Sequence, residues 1–431
     1  MAKGESMGEM DRREFVKAGA AASGLLLLKS KTAFGYEANS AVRLGLLGCG
    51  NRGTTVANSF AKHAGARVVA LADIFPDKLA AGKTHFDQLN QSLGQPAIEE
   101  KLMFHGHDAF QQIAHAKDVD MVQISTPPWF HVEHLEAMVD AGKHVYCEKP
   151  VGVDVKQAKK ALEIADRVKN RQSVDVGFEV RSAPPIAMVI EKVRDGALGR
   201  IATLVGSYYA PASKEKPVTG PSHDEWRLRN WLWDRALSGD ILVEQNIHII
   251  DLCNWVLGAH PLKATATGGR NILTHAGDCW DNYQVIFTYP NDVHLSFAST
   301  QFSNPSFSAG LLMFGAKGMA SAPYAGPVEI TGESAWKWED ASGAPTVTTG
   351  KFAANGAFDD NLALADREKT RSFIESITSG NFHNQIADGV ASAQSCMLGR
   401  MAGYQKREVT WEDLLAHGET YPLGMNLAQF G

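Results

Sequence analysis

The sequence predicts an α/β protein, with a doubly wound parallel Rossmann sheet followed by an α+β domain built on a large open, mainly antiparallel sheet. Three observations predict it. From residue 42 onward, short apolar strand patterns alternate with amphipathic helix patterns, as in successive βαβ units. A glycine-rich turn, Gly48-Cys49-Gly50-Asn51-Arg52-Gly53, follows the first strand and opens the first helix. Beyond about residue 200 the strands become alternating and aromatic-rich and succeed one another through short turns. A chain of 431 residues has room for two or three domains. The expected division is a leader and linker over 1–40, a dinucleotide-binding domain over 41–165 and a substrate and oligomerisation domain over 166–431, whose last helices can pack back on the first.

In the first domain, VRLGLLG (42–48) and ARVVALAD (66–73) read as buried parallel strands flanking a helix over 51–63. DVDMVQIST (118–126) and HVYCEKP (144–150) add two further strands with a helix over 130–143 between them. A long amphipathic helix over 154–170 then leads to a strand over 173–180. In the second part, strands are expected at 201–209, 282–289, 293–300 and 310–315. Pro290-Asn291-Asp292 forms a hairpin-type turn between the middle two. Helices over 365–380 and 388–405 close the chain.

Composition narrows the function classes. Hydrophobic residues are 44% and charged residues 21%, which excludes a disordered or collagen-like chain. The net charge of −6 argues against a nucleic-acid binder, which needs a basic stripe for the phosphates. Five scattered cysteines without a CxxC pair point to folding in a reducing compartment. His105, His107 and His115 have no carboxylate or cysteine to complete a metal set, so no metal is expected.

The N-terminus departs from this cytoplasmic picture. Arg12-Arg13, with Phe15 and Lys17 after them and Asp11 before, precedes the short apolar run AGAAASGLLLL (18–28). That run is too short for a stable membrane span. The segment resembles a twin-arginine export signal, which implies delivery of the folded, cofactor-loaded protein to the periplasm or another extracytoplasmic space. The alternative is an amphipathic N-terminal helix on a cytoplasmic protein.

The chemistry-bearing residues cluster at strand ends. In the glycine turn, Gly48 makes the bend, Gly50 lets a pyrophosphate approach the backbone and Gly53 lets the helix pack on the strand. Asn51 and Arg52 open a helix whose N-terminus favours anions. Asp73 ends the second strand about 20 residues after Gly53, where a carboxylate bonds the adenosine ribose hydroxyls and repels a 2′-phosphate. NAD is therefore expected over NADP, with Lys78 nearby as the one feature favouring NADP. Ser125, Thr126 and Pro127, with His131 just beyond, lie at the C-terminal end of a strand, where they can follow the cofactor's ribose and nicotinamide. Glu148 and Lys149 end the next strand on the same edge, and a lysine there can stabilise the alkoxide formed as a hydride leaves.

GCGNRG, TPPWFH and CEKP at these spacings resemble the glucose–fructose oxidoreductase / inositol dehydrogenase (Gfo/Idh/MocA) family over nearly the whole chain after the leader. The resemblance implies a Rossmann domain joined to an open antiparallel sheet domain, and nicotinamide-dependent oxidation or reduction of sugars, polyols or their derivatives. It also implies a run in which an Asp and a His face the lysine. Here that run reads Ser238-Gly239-Asp240-Ile241-Leu242-Val243-Glu244-Gln245-Asn246-Ile247-His248, with His248 in the family position, Glu244 in place of the Asp and Asn246 in place of a Gly. Glu244 and His248 are four apart on a predicted helix and so share a face.

The expected catalytic set is Lys149, His248 as general base and Glu244 orienting the substrate or the histidine. Trp226, Arg227 and Trp231 are candidates for stacking on and binding a carbohydrate, and Arg181 is a further pocket candidate. Two other readings remain: an NAD-dependent glycosidase working by transient oxidation and elimination, and a non-catalytic dinucleotide sensor. An open sheet face of this kind also leads us to expect a homo-oligomer.

Overall fold

A computed structural model describes residues 41–168, 170–213, 215, 216, 218, 222–274, 276–302, 307–339 and 360–431. The twin-arginine segment lies outside the described residues.

The first half forms a six-stranded, fully parallel sheet. Its strands are β1 (Arg43–Leu47), β2 (Arg67–Asp73), β3 (Met103–His105), β4 (Met121–Ile124), β5 (His144–Cys147) and β6 (Val174–Val176), in the spatial order β3-β2-β1-β4-β5-β6. The intervening helices are α1 (Asn51–His63), α2 (Pro76–Ser92), α3 (Ala109–His115), α4 (His131–Asp140) and α5 (Val155–Val168). Leu44, Leu46, Val68, Ala70, Met121 and Val122 are all fully enclosed, because helices cover both faces of a parallel sheet. The strand order reverses between β1 and β4, so a crevice opens beyond their C-terminal ends, where such sheets take ligands.

The second half begins with α6 (Pro184–Arg194) and β7 (Ile201–Tyr209). Four helices follow: α7 (His223–Arg229), α8 (Arg235–Ser238), α9 (Ile241–Glu244) and α10 (Ile247–Leu257). Then come β8 (Lys263–Gly269), β9 (Asn282–Tyr289), β10 (Val293–Thr300), β11 (Ser308–Gly315), β12 (Gly318–Pro323), β13 (Glu329–Gly332) and β14 (Trp336–Lys337). The chain closes with α11 (Ala365–Ser379), α12 (Ile386–Gln405), β15 (Val409–Thr410) and α13 (Trp411–His417). These strands form a nine-stranded sheet in the order β14-β13-β12-β11-β7-β10-β9-β8-β15, antiparallel except where β7 and β10 run together. Side chains alternate as a one-sided sheet requires: Tyr283, Val285, Phe287 and Tyr289 of β9 are buried, while Ile286 on the other face is exposed. Helix α12 packs on β8 and also on α5, so it touches both halves.

Two elements differ from the sequence expectation. The strand expected over 173–180 pairs only through Val176. A tight turn with Phe178 N donating to Val176 O (2.7 Å) then lifts the chain into a 3₁₀ turn over Glu179–Ser182. The helix expected to carry Glu244 and His248 together is interrupted at Gln245 and Asn246, so the two residues belong to consecutive helices, α9 and α10.

Candidate active site

The glycine turn has the shape a dinucleotide needs. Gly48 has φ +95°, a conformation that favours glycine, and a Cβ there would lie 2.6 Å from the Ser125 carbonyl oxygen. A Cβ on Gly53 would lie 2.1 Å from the Gly48 carbonyl oxygen, so helix and strand meet only because that atom is missing. At Gly50 a Cβ would meet nothing within 4 Å; the glycine keeps the crevice itself clear. The first intrahelical bond begins at Thr54, which donates to Gly50 O, and this leaves the amides of the first turn of α1 to face a ligand. A cradle that one methyl group would fill, set over a helix N-terminus, fits a pyrophosphate.

Asp73 braces this turn. Its carboxylate accepts from Cys49 N (2.7 Å) and Phe75 N (2.9 Å), tying the end of β2 to the turn. Burial raises its pKa, opposed by those two amides. A cavity of about 700 Å³ opens beside it, lined by Gly48, Gly50, Lys78, Ser125, Thr126 and Pro127 among others. The glycine turn, the Asp73 carboxylate and the strand-end loop thus meet around one space that fits the adenosine half of NAD.

Gly50, Ser125 and Thr126 also line a second cavity of about 570 Å³, together with Asn51, Arg52, Gly53, His131, Glu148, Lys149, Glu244 and His248. Lys149 Nζ donates to Glu244 Oε1 (2.7 Å) and to the Glu244 carbonyl oxygen (2.6 Å). An ammonium has three donors, so one remains for a ligand. His248 is not paired with Glu244. Its Nε2 lies 3.7 Å from Oε1 of Glu179, and its buried Nδ1 has no hydrogen-bond partner among the described residues. Burial, reinforced by the positive charges of Lys149 and Arg52, lowers the histidine's pKa well below its ordinary value, so the ring is neutral.

Arg52 is differently employed from the cofactor contact expected of it. Its guanidinium donates twice to Asp366 (2.8 Å each) and once to Glu148 (2.9 Å), and it lies 3.5 Å from Glu179. Burial works against the cation, but the three carboxylates outweigh it and raise the pKa. Arg52 and Glu148 still line the cavity, but as part of an ion cluster that ties α1 to α11. His131 is likewise a brace. Both ring nitrogens sit against backbone carbonyls, Pro150 O and Thr126 O at 2.8 Å each. Two acceptors would suit an imidazolium, yet burial pulls the pKa down to about 4, so a neutral ring donates to only one of them.

Of the four carbohydrate-binding candidates, Trp231 alone lines the cavity. Arg181 makes a two-pronged pair with Asp251 (2.7 Å each) and bonds Asp388 (3.1 Å). Arg227 is taken by Asp234 and the carbonyls of Leu423 and Gly424. Trp226 donates from its indole to Glu215 (2.6 Å) and lies outside both cavities. Trp226 and Arg227 sit in the short helix α7, which their contacts tie to neighbouring segments, and Arg181 ties the 3₁₀ turn over Glu179–Ser182 to Asp251 of α10. Sequence reasoning missed Glu179 and Tyr208, which also line the cavity. The available signal for Glu179 was its place just beyond the C-terminal end of a parallel strand.

The C-terminal segment covers the adenosine side. Leu427 lines the larger cavity, and the Phe430 ring packs edge-on against Phe75 with centroids 5.7 Å apart. His107 N donates to the Gly431 carbonyl oxygen (3.1 Å). Helix α7 is bound to this segment through Asp224, which accepts from Asn426 N (3.0 Å) and the Gln429 side chain (2.9 Å). Arg229 pairs with Asp77 (2.8 Å) and lies over the Phe75 ring at 3.9 Å.

Comparison with known proteins agrees with this geometry. Residues 42–176 match the model of the oxidoreductase family with an NAD-binding Rossmann fold, and residues 186–321 match the GFO/IDH/MocA C-terminal domain. The chain is 28% identical over 291 residues to an inositol 2-dehydrogenase of Rhizobium meliloti, covering 67% of this chain and 78% of that protein. It is 34% identical over 134 residues to a glycosyl hydrolase family 109 protein of Streptomyces niveus, 31% of this chain and 26% of that one. In fold it is similar to a levoglucosan dehydrogenase solved with NADH and L-sorbose, with a TM-score of 0.67, 20% identity, and coverage of 86% of this chain and 99% of that one. Glycine turn, braced carboxylate, strand-end lysine and two matching domain models lead to one conclusion: the chain belongs to the Gfo/Idh/MocA family of NAD-binding oxidoreductases.

Proposed function

We propose that this enzyme oxidises or reduces a sugar, polyol or sugar derivative at a carbon–oxygen bond, and keeps its NAD(H) through the cycle. One observation carries the reading: Lys149, Glu244 and His248 line the same cavity as the Gly50–Gly53 turn. Bound NAD supplies a hydride acceptor and, once reduced, a hydride donor. The chain supplies the rest. Glu244 fixes the Lys149 ammonium by two bonds, and its third proton is free to bond the substrate oxygen and stabilise an alkoxide. His248, neutral and buried, takes the hydroxyl proton. Trp231 offers a flat apolar surface to a ring.

The inositol 2-dehydrogenase relative supports a polyol substrate. The C-terminal segment over the adenosine cavity supports slow cofactor exchange, as does the twin-arginine pattern. An enzyme exported with its nicotinamide must have it reoxidised in place, by a second substrate molecule or by the same one. A homo-oligomer is supported by Val205 and Ile286, which share one face of the large sheet and are exposed at 42% and 43% among the described residues.

The glycosyl hydrolase match favours a second reading, transient oxidation followed by glycoside elimination, although it covers only 26% of that protein. Mass spectrometry of the purified protein for bound nicotinamide, with a screen of free sugars and polyols against aryl glycosides, separates the two. Turnover of free polyols, lost in Lys149→Ala with nicotinamide retained, supports the first. Release of the aryl group without net nicotinamide reduction supports the second, and no nicotinamide with no turnover contradicts both.

A further inference from the structure

We infer that Glu179 is the proton partner of His248, so that a histidine–carboxylate pair rather than a lone imidazole takes and returns the substrate proton. The inference deepens the proposed function and rests on it. The geometry comes first. Glu179 Oε1 lies 3.7 Å from His248 Nε2, and both side chains are about 94% enclosed, at 6% exposure each. Glu179 Oε2 has no hydrogen-bond partner among the described residues, although Arg52 is 3.5 Å away. A buried carboxyl group with one oxygen short of a donor and the other facing an imidazole is costly unless that imidazole brings it a proton. His248 Nδ1, on the other side of the ring, is also without a partner. A carboxylate on one ring nitrogen and a free second nitrogen is the arrangement by which an aspartate fixes the tautomer of a general-base histidine and stabilises its imidazolium. The gap is longer than a hydrogen bond, as it commonly is before substrate tightens such contacts.

Burial shifts the two groups in opposite directions, raising Glu179 and lowering His248, so the usual gap between a carboxyl group and an imidazole closes or inverts. Burial thereby draws a shared proton from the ring toward the carboxyl group. The other charges facing the pair come from every neighbouring element. Arg52 of α1 and Lys149 beyond β5 favour the ionised carboxylate and the neutral imidazole. Glu148 and Asp366 favour the protonated carboxyl group. The phenols of Tyr146, Tyr208 and Tyr324 stay neutral, held far above their ordinary range by burial. In oxidation, the O–H bond of the substrate breaks and its proton passes to His248 and on to Glu179; NAD, when bound, would be the hydride acceptor. In reduction, the same proton returns to the substrate oxygen. An enzyme that recycles its nicotinamide gains a closed proton store by this means.

The test is ¹⁵N-histidine NMR of the full-length protein with NAD⁺ added, with His248 assigned by loss of its signal in His248→Gln. In the wild type, His248 should titrate in two steps, as one member of a coupled pair. In Glu179→Gln it should titrate in one step with its midpoint about one pH unit lower, a tenfold loss of proton affinity. Glu179→Asp, which keeps the charge but withdraws it, should fall between. Because Glu179→Gln removes a charge from a buried cluster, the pair is also read from the other side: the Glu179 carboxyl ¹³C midpoint should move in His248→Gln. Unchanged midpoints in both variants, with NAD⁺ affinity and melting temperature as in the wild type, would overturn the pairing. Coupled titration in a protein that turns over no polyol would retain the pair and reject the proposed function.

Discussion

At the scale of single residues, we propose that Asp73 decides cofactor choice. Its carboxylate accepts two backbone amides and lines the larger cavity, so it shapes the glycine turn and would set the sign of the charge met by a ribose bound there. Asp73→Asn keeps the size but loses the charge and one acceptor. We expect NAD affinity to fall about tenfold, the equivalent of one hydrogen bond to a charged group, and the preference for NAD over NADP to narrow. Parallel binding titrations with both nucleotides check this, and an unchanged NAD/NADP ratio would rule Asp73 out as the selector. Much at this scale was legible in the sequence, because a glycine turn and a strand-end lysine have fixed chemistry and fixed positions. Arg52, Arg181 and Arg227 were not. An arginine side chain is long enough to choose among several carboxylates, and here Asp366, Asp251 and Asp234, far apart in sequence or simply unremarked, claim them. Glu179 was missed for a related reason, since its partner His248 comes from the other half of the chain.

At the scale of elements, boundaries followed the sequence wherever an apolar period ran unbroken. α1, β9 and β10 occupy the predicted ranges Asn51–His63, Asn282–Tyr289 and Val293–Thr300. Short edge strands were illegible: β14 and β15 have two residues each and owe their existence to the strands beside them. The break between α9 and α10 was also hidden, because Gln245 and Asn246 fit a helix pattern and only the three-dimensional packing separates them. The seam between β6 and α12 depends on a titrating contact. His383 Nδ1 lies 3.0 Å from Asp175, which also pairs with Lys369 at 2.9 Å. The bond to Asp175 raises the histidine's pKa against the opposing effect of burial. With the folded pKa above the unfolded value of about 6.5, its stabilisation is complete below that pH and disappears as pH rises through the folded value. His383→Gln should therefore lower the melting temperature more near pH ~6 than near pH ~9. Calorimetry of both proteins across that range checks the sign, and a pH-independent difference would assign the contact to packing alone.

At the scale of the whole molecule, the chain wraps its C-terminal segment back across the mouth of the cofactor crevice, a long-range arrangement no local pattern encodes. Phe430→Ala removes the aromatic contact with Phe75, worth at most about a tenfold change in a dissociation rate. Stopped-flow fluorescence should show NADH leaving the variant faster by up to that factor, with the wild-type melting temperature preserved. An unchanged rate would mean that the segment does not gate release. The domain pairing itself was legible, since helix-separated strands and turn-separated strands bury their faces in different ways. The central claim is that a sugar or polyol exchanges a hydride with nicotinamide held in the cavity shared by Lys149, His248 and the glycine turn. The most direct measurement is the near-ultraviolet absorbance of the NAD-loaded full-length protein as a panel of sugars and polyols is added, one at a time. The account predicts that at least one compound brings up the reduced-nicotinamide band on the protein and that Lys149→Ala abolishes it while NAD stays bound. A band that forms equally in Lys149→Ala, or a loaded protein that no sugar or polyol reduces, would contradict it.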